Sequence, residues 1–375
     1  MSARAAFSQL GHAPTALDEA WELSGAQLER PPDLVALFCA AEHSESAHDL
    51  SEAISDLAPD AAIIGACAAD GVIGAGREQQ GGAALALLAA TLPPGARVTP
   101  FHALVGEGHE GPELVGLPAT PGGALAVALA DPHSTPVEQL IEGLGVVPLL
   151  GGFAGLGGRG AARLFTNGGC AEEGAVGIVL EGLPLAAIVS QGARPIGPEL
   201  VVTAAERNLV IELAGRPALE RVRQVVEELP LTERLLLENG LLIGLVVDEN
   251  RPEHSLGDFL VRGVIGADAN TGALAIADIP RVGQTVRLHV RDAESASREL
   301  DDLLGRQEPE AGSAALLFSC NGRGRNMFAQ PDHDAGAVAR LLGSDAVAGC
   351  FCQGELGPVG GRTFVHGFTA SVALW

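Results

Sequence analysis

A local pattern that occurs three times constrains the fold more than any other feature of the sequence. In each copy an apolar strand is followed by a polar loop, a helix, a second apolar strand and a glycine-rich turn. The copies span residues 33–72, 125–158 and 315–356, with predicted helices at residues 47–57, 137–144 and 335–342. Repeated units that each bury one face pack against one another, and ligands bind preferentially at such interfaces. The pattern therefore predicts duplicated sheets with a shared interface.

The remaining elements favour an α+β fold. A glycine- and proline-rich segment at residues 190–198 interrupts the repeats, and short strands separated by turns follow it. We therefore expect stacked, mixed and largely antiparallel β-sheets covered by helices in an αββα-like arrangement, with internally repeated strand–helix–strand units. The strands expected after the interruption lie at residues 201–203, 209–213, 241–247, 259–265, 273–276 and 286–290, and the helices at residues 217–229 and 293–304.

The same patterns predict three segments along the chain. Residues 1–31 contain one amphipathic stretch that ends at Pro31-Pro32, and we interpret them as an N-terminal helical extension. Residues 32–200 are expected to form a first domain and residues 201–375 a second.

The charge of the chain excludes several classes of partner. Its formal net charge is -24 and its isoelectric point is near 4.7, so we expect it to bind neither nucleic acid nor an anionic membrane surface. Gly, Pro or Asp interrupts the longest apolar stretches before they reach the length of a membrane-spanning helix. The sequence contains no lysine, so every fixed cation is an arginine, and a cluster of arginines stands out against the acidic background.

The cysteines are typical of a protein in a reducing compartment. None of the six forms a C-x-x-C pair, and most lie in apolar runs, where a free thiol packs as a small apolar group. The N-terminus lacks a basic-then-apolar signal pattern. We therefore expect a cytoplasmic protein without a disulfide framework, a metal site or a cofactor.

Polar side chains collect at the strand ends of the C-terminal repeat. A cysteine, an asparagine and two arginines follow the strand at residues 315–319, a glutamate follows the next strand, and a histidine lies in an alternating strand beyond it. Glycines let backbone N–H groups turn toward an anion, and arginine binds a carboxylate or phosphate through two parallel bonds. We predict a site for a small anionic or zwitterionic ligand, without a catalytic residue, at Cys320, Asn321, Gly322, Arg323, Gly324, Arg325, Gly354, Glu355 and His366.

Each of these side chains also has another interpretation. The arginines could be solvated cations of a tight turn, and His366 could be a hydrogen-bonded core histidine. Glu355 could accept a ligand amine or pair with Arg323 to hold the loop. Cys320 and His366 as nucleophile and base would instead define an enzyme. A protein-interaction scaffold that binds no ligand is the third alternative.

Four blocks of the sequence together resemble the FIST family (F-box and intracellular signal transduction proteins) over residues 32 to 375. The blocks are residues 190–198 with Val202-Thr203, residues 208–219, residues 260–264 with Asp268 and Gly272, and residues 319–325 with 349–358 and His366. The resemblance implies a FIST N domain at residues 32–200 and a FIST C domain at residues 201–375. It also implies a sensory or adaptor module that binds small ligands such as amino acids or their derivatives.

The chain departs from the family pattern in its N-terminal half. Asp70-Gly71 occupies a turn where the family often has Gly-Glu, and Ala193 occupies a position where the family often has Cys. The predicted site therefore lies in the C-terminal domain. We expect the output of the module to pass through a separate signalling protein.

Overall fold

Four β-sheets form the framework of the computed structural model, which describes residues 1–108, 111–158, 160–251, 253–254 and 257–375. Contacts divide these residues into two units. One contains Met1–Val189 together with Asp301–Trp375, and the other contains Ser190–Leu300. The C-terminal repeat therefore belongs to the same unit as the two earlier repeats.

The three sheets of the first unit have similar spatial orders of strands. The first sheet contains β1 (Ser2–Ser8), β6 (Leu85–Thr91), β2 (Leu34–Ala40), β3 (Ala62–Ala68), β11 (Leu164–Thr166) and β12 (Gly169–Ala171). The second contains β8 (Gly111–Val115), β7 (Arg97–Gly108), β13 (Ala175–Glu181), β9 (Leu125–Ala130), β10 (Leu149–Phe153), β24 (Glu355–Val359) and β25 (Arg362–His366). The third contains β14 (Ala186–Ser190), β26 (Ala370–Leu374), β22 (Ala315–Cys320), β23 (Val347–Cys352), β4 (Val72–Gly74) and β5 (Arg77–Gln79).

Helices connect the strands of each repeat. The helices are α1 (Ala13–Leu23), α2 (Ala47–Leu57), α3 (Val137–Gly143), α4 (Ala218–Glu228), α5 (Leu231–Leu236), α6 (Ala293–Leu304) and α7 (His333–Leu342). In the three repeats α2, α3 and α7 connect two parallel strands, as a βαβ unit requires. In α2 the buried side chains Ala47, Leu50 and Ile54 lie one turn apart, which places them on one face of the helix.

One glycine in each repeat permits the close approach of its two parallel strands. Gly65, Gly151 and Gly349 lie opposite Leu37, Ala128 and Leu317 of the first strand. A Cβ atom at any of these glycines would collide with the carbonyl oxygen of the opposing residue. The same steric requirement at the same register shows that the three repeats are structurally equivalent.

After the second strand of each repeat, the chain forms a β-hairpin that joins the sheet of another repeat. The hairpin β4–β5 follows β3 and pairs with β23. The hairpin β24–β25 follows β23 and pairs with β10. The hairpin β11–β12 follows β10 and pairs with β3. The exchange is closed, because every repeat both gives a hairpin and receives one.

The sheets of the first unit share one hydrophobic core. Alternate side chains of β2, such as Leu34 and Phe38, join a cluster that includes Val127 of β9 and Phe318 of β22. The rings of Phe38 and Phe318 meet edge to face with centroids 6.2 Å apart. The intervening side chain Leu37 packs instead in a second cluster with residues of α1 and α2. Stacked sheets with helices on an outer face confirm the predicted α+β class.

The second unit contains one sheet that closes on itself. Its strands are β15 (Ala193–Glu206), β21 (Thr285–Arg291), β18 (Leu242–Val246), β19 (Phe259–Ala267), β20 (Leu274–Ile276), β16 (Leu209–Leu213) and β17 (Arg216–Pro217). An additional pairing joins β15 to β16 and completes a ring of strands. His289 of β21 is 1% exposed, and burial lowers the pKa of its imidazole to about 4. The His289 imidazole therefore stays neutral.

Two segments differ from their interpretation in the sequence analysis. The strand β1 precedes α1 in the segment interpreted as a helical extension, because its backbone pairs with β6. Residues 190–198 lie largely within β15, which tolerates its glycine and prolines at a register shift between Ile196 and Glu199. The predicted ranges 32–200 and 201–375 describe family modules and stay a prediction. Within the described residues, no helix combines the length and apolarity needed to cross a membrane.

Gly349→Ala is expected to destabilise the protein by more than about 1–3 kcal/mol, because the added methyl group meets backbone that cannot move aside. Gly336→Ala is the matched control, since a Cβ there meets only the Arg340 guanidinium and alanine favours a helix. Denaturant unfolding measures both variants. Equal stability of the two variants would contradict the steric role of Gly349.

Candidate functional site

The predicted site lies where the second and third sheets meet. Cys320 ends β22 and Cys352 ends β23, while Glu355 begins the hairpin that pairs with β10. Glu355 lies opposite Gly152 of β10, and a Cβ atom on Gly152 would lie 2.7 Å from the Cys352 sulfur. The exchanged hairpin therefore places a carboxyl group beside the thiols at the ends of two parallel strands.

The Glu355 carboxyl group is completely buried, with 0% of its surface exposed. Its Oε2 accepts a hydrogen bond from the backbone N–H of Thr369 at 3.2 Å. Its Oε1 has no hydrogen-bond partner within the residues that the structure describes. Burial raises the pKa of Glu355 to about 8, although the Thr369 N–H, the Cys320 thiol, the Gly354 N–H and the charge of Arg323 partly oppose this shift. A buried polar atom without a partner is costly, so this oxygen calls for an explanation.

The Cys320 thiol lies next to this carboxyl group and stays protonated near neutral pH. Its side chain is 5% exposed, and its sulfur lies 3.6 Å from Asn321 Oδ1 as a hydrogen-bond donor. Burial and the neighbouring Glu355 raise the pKa of the thiol to about 11. Because the thiolate is the nucleophile of cysteine chemistry, this environment disfavours nucleophilic catalysis.

Arg323 binds an aspartate that the sequence analysis did not pair with it. Its Nε and Nη2 donate to Asp334 Oδ2 and Oδ1 at 2.7 and 2.8 Å, and both side chains are fully buried. Ser319 Oγ donates to the same carboxylate at 2.8 Å. Burial opposes the charge on Asp334, but the Arg323 guanidinium holds its pKa well below the usual range. Arg323 therefore anchors the loop to the start of α7.

Aromatic packing completes this anchor. The rings of Phe328 and His333 stack with centroids 3.5 Å apart, and His333 Nδ1 lies 2.9 Å from Asp334 Oδ1. The Arg323 guanidinium carbon lies 5.2 Å from the centroid of the Phe328 ring. A cation over an aromatic face adds to the ion pair, so the loop after β22 is held by several groups at once.

Glu78 of the exchanged hairpin β4–β5 holds the other side of the loop. Its Oε1 accepts the backbone N–H groups of Asp334 and Ala335 at 2.8 and 2.9 Å, at the positive end of α7. Its own N–H donates to Asp332 Oδ1 at 2.7 Å. Burial and the charge of Asp334 raise the pKa of Glu78 to about 7. No sequence pattern indicates this contact, which joins residues 256 positions apart.

The glycines of the predicted site accommodate aromatic rings. A Cβ atom on Gly322 would fall within the ring of Phe368, and one on Gly324 would reach Gln80 and the ring of Phe351. Gly354 has a φ of 130° and lies under the ring of Phe153. These glycines therefore let the backbone lie close to three aromatic rings.

The structure brings some of the predicted residues together and separates others. Cys320, Gly354 and Glu355 form one buried cluster with Arg323 near it. Arg325 is exposed, and its backbone N–H donates to Gln80 Oε1 at 2.8 Å. His366 pairs with Glu355 across the hairpin, and its Nε2 donates to the Gly357 carbonyl at 2.9 Å. That hydrogen bond agrees with a core role for His366.

Comparison of the three repeats shows that Glu355 is unusual within its own chain. Gly65, Gly349 and Gly151 each pair with a residue of a received hairpin, namely Phe165, Ile73 and Leu356. The preceding hairpin residues are Leu164, Val72 and Glu355, and all three are fully buried. Two repeats thus place an aliphatic side chain where the third places a carboxyl group. The fold itself does not require a carboxyl group at this position.

No group of three or more His, Cys, Asp or Glu side chains within the described residues could hold a metal ion. A cavity of ≈ 730 Å³ lies at the N-terminal ends of β2 and β3. Its lining includes Arg30, Asp33, Arg97 and Asn167. Arg30 binds Asp33 and the Leu92 carbonyl there, and Asn167 binds the backbone of β3 and Ala61. Since Arg30, Asp33 and Asn167 already have partners, they do not indicate a ligand site as the buried Glu355 Oε1 does.

Comparison with known proteins identifies the family. Residues 33–216 match the FIST N domain and residues 218–358 match the FIST C domain. The chain therefore belongs to the FIST family, whose domains are generally regarded as sensory signal-transduction domains, and the resemblance predicted from four sequence blocks is confirmed.

Mycobacterial proteins are similar to the chain over nearly its whole length. An uncharacterized protein of Mycobacterium tuberculosis is 39% identical over 353 residues, which are 92% of this chain and 91% of the relative. An uncharacterized protein of Mycobacterium bovis is 37% identical over 353 residues, which are 92% of this chain and 90% of the relative. The two family models and these relatives each cover most of the chain.

Arg323→Met is expected to lower the free energy of unfolding by about 3–5 kcal/mol, because it leaves the buried Asp334 without its cation. The double variant Arg323→Met/Asp334→Leu removes both charges and should recover much of that loss. Arg325→Met is the control, since an exposed substitution of this kind changes stability by about 0.5 kcal/mol or less. Urea unfolding of the three variants measures these differences. A loss no larger for Arg323→Met than for Arg325→Met would contradict the anchoring role.

Glu355 should make stability fall as pH rises. Its pKa of about 8 in the folded chain exceeds the ordinary value of a glutamate, so the folded state retains a proton that the unfolded state loses. The stability this proton provides is complete below the ordinary pKa and is lost as pH rises through about 8. Urea unfolding between about pH 5 and pH 9 should therefore show a steeper fall for the wild type than for Glu355→Leu. Glu113→Gln, at an exposed position, should keep the wild-type slope, and parallel slopes for all three proteins would refute the prediction.

Proposed function

We propose that the chain is a cytoplasmic sensory module that binds a small anionic or zwitterionic metabolite, such as an amino acid or a derivative, beside Glu355. One observation carries the proposal. Within the described residues, a fully buried carboxyl oxygen of Glu355 lacks a partner, and the other two repeats have Val72 and Leu164 at the equivalent position. Because a buried polar group without a partner is destabilising, its retention favours a role in binding.

The residues around this oxygen have different roles in the proposal. Glu355 contacts the ligand, and Cys320, Asn321 and Gly354 line the site as neutral groups. Arg323 is a positioning residue, because its guanidinium binds Asp334. The remaining members of the proposed set are Gly322, Gly324, Arg325 and His366, of which Arg325 supplies an exposed cation at the loop.

The exchanged hairpin β4–β5 provides a route for output. It contacts the loop after β22 through Gln80 and the start of α7 through Glu78. A ligand that shifts the loop would therefore change a hairpin that belongs to the first repeat. We propose that a separate signalling protein recognises this change.

A thermal-shift screen tests the proposal directly. The wild type is screened against amino acids, keto acids, nucleotides and phosphorylated metabolites. A compound at one hundred times its dissociation constant adds about 2.7 kcal/mol, which raises the melting temperature by roughly 5–10 °C for a unit of this size. Glu355→Leu should abolish the shift while it remains folded, because Leu164 occupies the equivalent position in a sister repeat.

One control variant makes the screen decisive. Glu113→Gln should keep the full shift, since it removes an exposed carboxylate. Arg323→Ala is unsuitable as the test variant, because loss of the Asp334 ion pair would confuse folding with binding. A compound that stabilises folded Glu355→Leu as strongly as the wild type would refute the proposed site. A screen without any shift would favour the ligand-free scaffold.

A further inference from the structure

We infer that Glu355 meets its ligand as a neutral carboxylic acid whose Oε1–H donates a hydrogen bond, so the contacting ligand group is a carboxylate or carbonyl oxygen and not an ammonium. The inference rests on the proposed function, because it specifies the chemistry of that same site. It also distinguishes two roles of Glu355. As an acid it donates a hydrogen bond to the ligand, and as a carboxylate it accepts one from a ligand amine.

The balance of charge in the buried cluster supports the neutral form. A fully buried carboxylate is stable only when a cation and hydrogen bonds compensate its charge. The cation that acts on Glu355 is the Arg323 guanidinium, and two of its N–H groups bind Asp334. One guanidinium thus already balances one buried carboxylate, so an ionised Glu355 would add a second, poorly compensated negative charge.

The sister repeats support the same conclusion independently of any charge. Val72 and Leu164 are fully buried at the positions equivalent to Glu355. The backbone arrangement therefore accepts an uncharged aliphatic side chain at this position, and the thiols of Cys320 and Cys352 beside Glu355 are themselves buried. A neutral carboxylic acid is the form of glutamate that such surroundings accept at the lowest desolvation cost.

The hydrogen bonds show which oxygen carries the proton. Oε2 accepts the N–H of Thr369, so a lone pair of Oε2 points to that donor. Oε1 has no partner within the described residues and is the oxygen on which a proton is free to reside. A protonated carboxyl group then offers one O–H donor, and a ligand acceptor oxygen would satisfy it.

Other titratable groups face Glu355 from the neighbouring elements, and they agree with this assignment. They are Cys320 on β22, Cys352 on β23, Arg323 on the loop and His366 on β25. Burial and the nearby carboxyl group raise the pKa of the Cys320 thiol, and the Cys350 thiol and burial raise that of Cys352. Both thiols therefore stay neutral, and the pKa of Glu355 near 8 keeps its proton in place at neutral pH.

Infrared difference spectroscopy of the purified full chain tests the protonation without any ligand. The wild-type spectrum minus the Glu355→Leu spectrum should contain a protonated-carboxyl stretch at pH 6.5, and a carboxylate stretch should replace it above the pKa of about 8. Circular dichroism confirms that the variant is folded. A carboxylate stretch at pH 6.5 would overturn the inference while leaving the proposed ligand site intact.

Probes of similar size then test the direction of the hydrogen bond. Pyruvate presents only acceptor oxygens, isopropylamine presents only an ammonium, and L-alanine presents both. Pyruvate and L-alanine should raise the melting temperature at pH 6.5, and isopropylamine should not. The affinity for pyruvate should fall about tenfold per pH unit well above pH 8, because the ionised carboxyl group repels the probe.

Glu355→Gln separates donation from charge. Glutamine keeps an N–H donor at this position but does not ionise, so pyruvate binding should persist and lose its pH dependence. Stronger stabilisation by isopropylamine than by pyruvate would overturn the inference and keep the proposed site with an amine ligand. If no probe shifts the melting temperature at any pH, both the donor role and the proposed ligand class fall together.

Discussion

The first unit depends on the antiparallel pairing of each sheet with a hairpin from another repeat. Without the received hairpin, β3, β10 and β23 would each present an unpaired edge. The closed exchange satisfies these three edges at once, so no repeat is complete by itself. It also explains why the C-terminal segment packs with the N-terminal repeats although a separate unit intervenes in the sequence. Cooperative stability of the whole unit follows from this arrangement.

The three repeats have equivalent backbones, but one of them carries a distinctive side chain. The exchange places three hairpin residues at matched positions, and only Glu355 among them is polar. Around it, the Arg323–Asp334 pair and Glu78 fix the loop after β22. The permanent charges thus hold the structure, while the group proposed to meet the ligand is uncharged. Such a division permits a small ligand to bind without removing an ion pair on which folding depends.

Local sequence patterns predicted many of the helices and strands. They could not predict which distant strands pair with one another. The periodicity of α2 and α6 predicted residues 47–57 and 293–304, which are the observed bounds. Loop composition also located Cys320 and Glu355 at neighbouring strand ends. The partner of Arg323 was not foreseen, because Asp334 lies 11 residues further along the chain and just before the predicted helix at residues 335–342. Hairpin exchange was equally hidden, since the register between β23 and β4 joins segments far apart in sequence.

The most direct test of the central claim is a crystal structure of the chain with the compound that most raises its melting temperature. We expect a ligand oxygen within hydrogen-bond distance of Glu355 Oε1, with the Arg323–Asp334 pair unchanged. A ligand bound elsewhere, such as the cavity beside Arg30 and Arg97, with Glu355 Oε1 still lacking a partner, would contradict it.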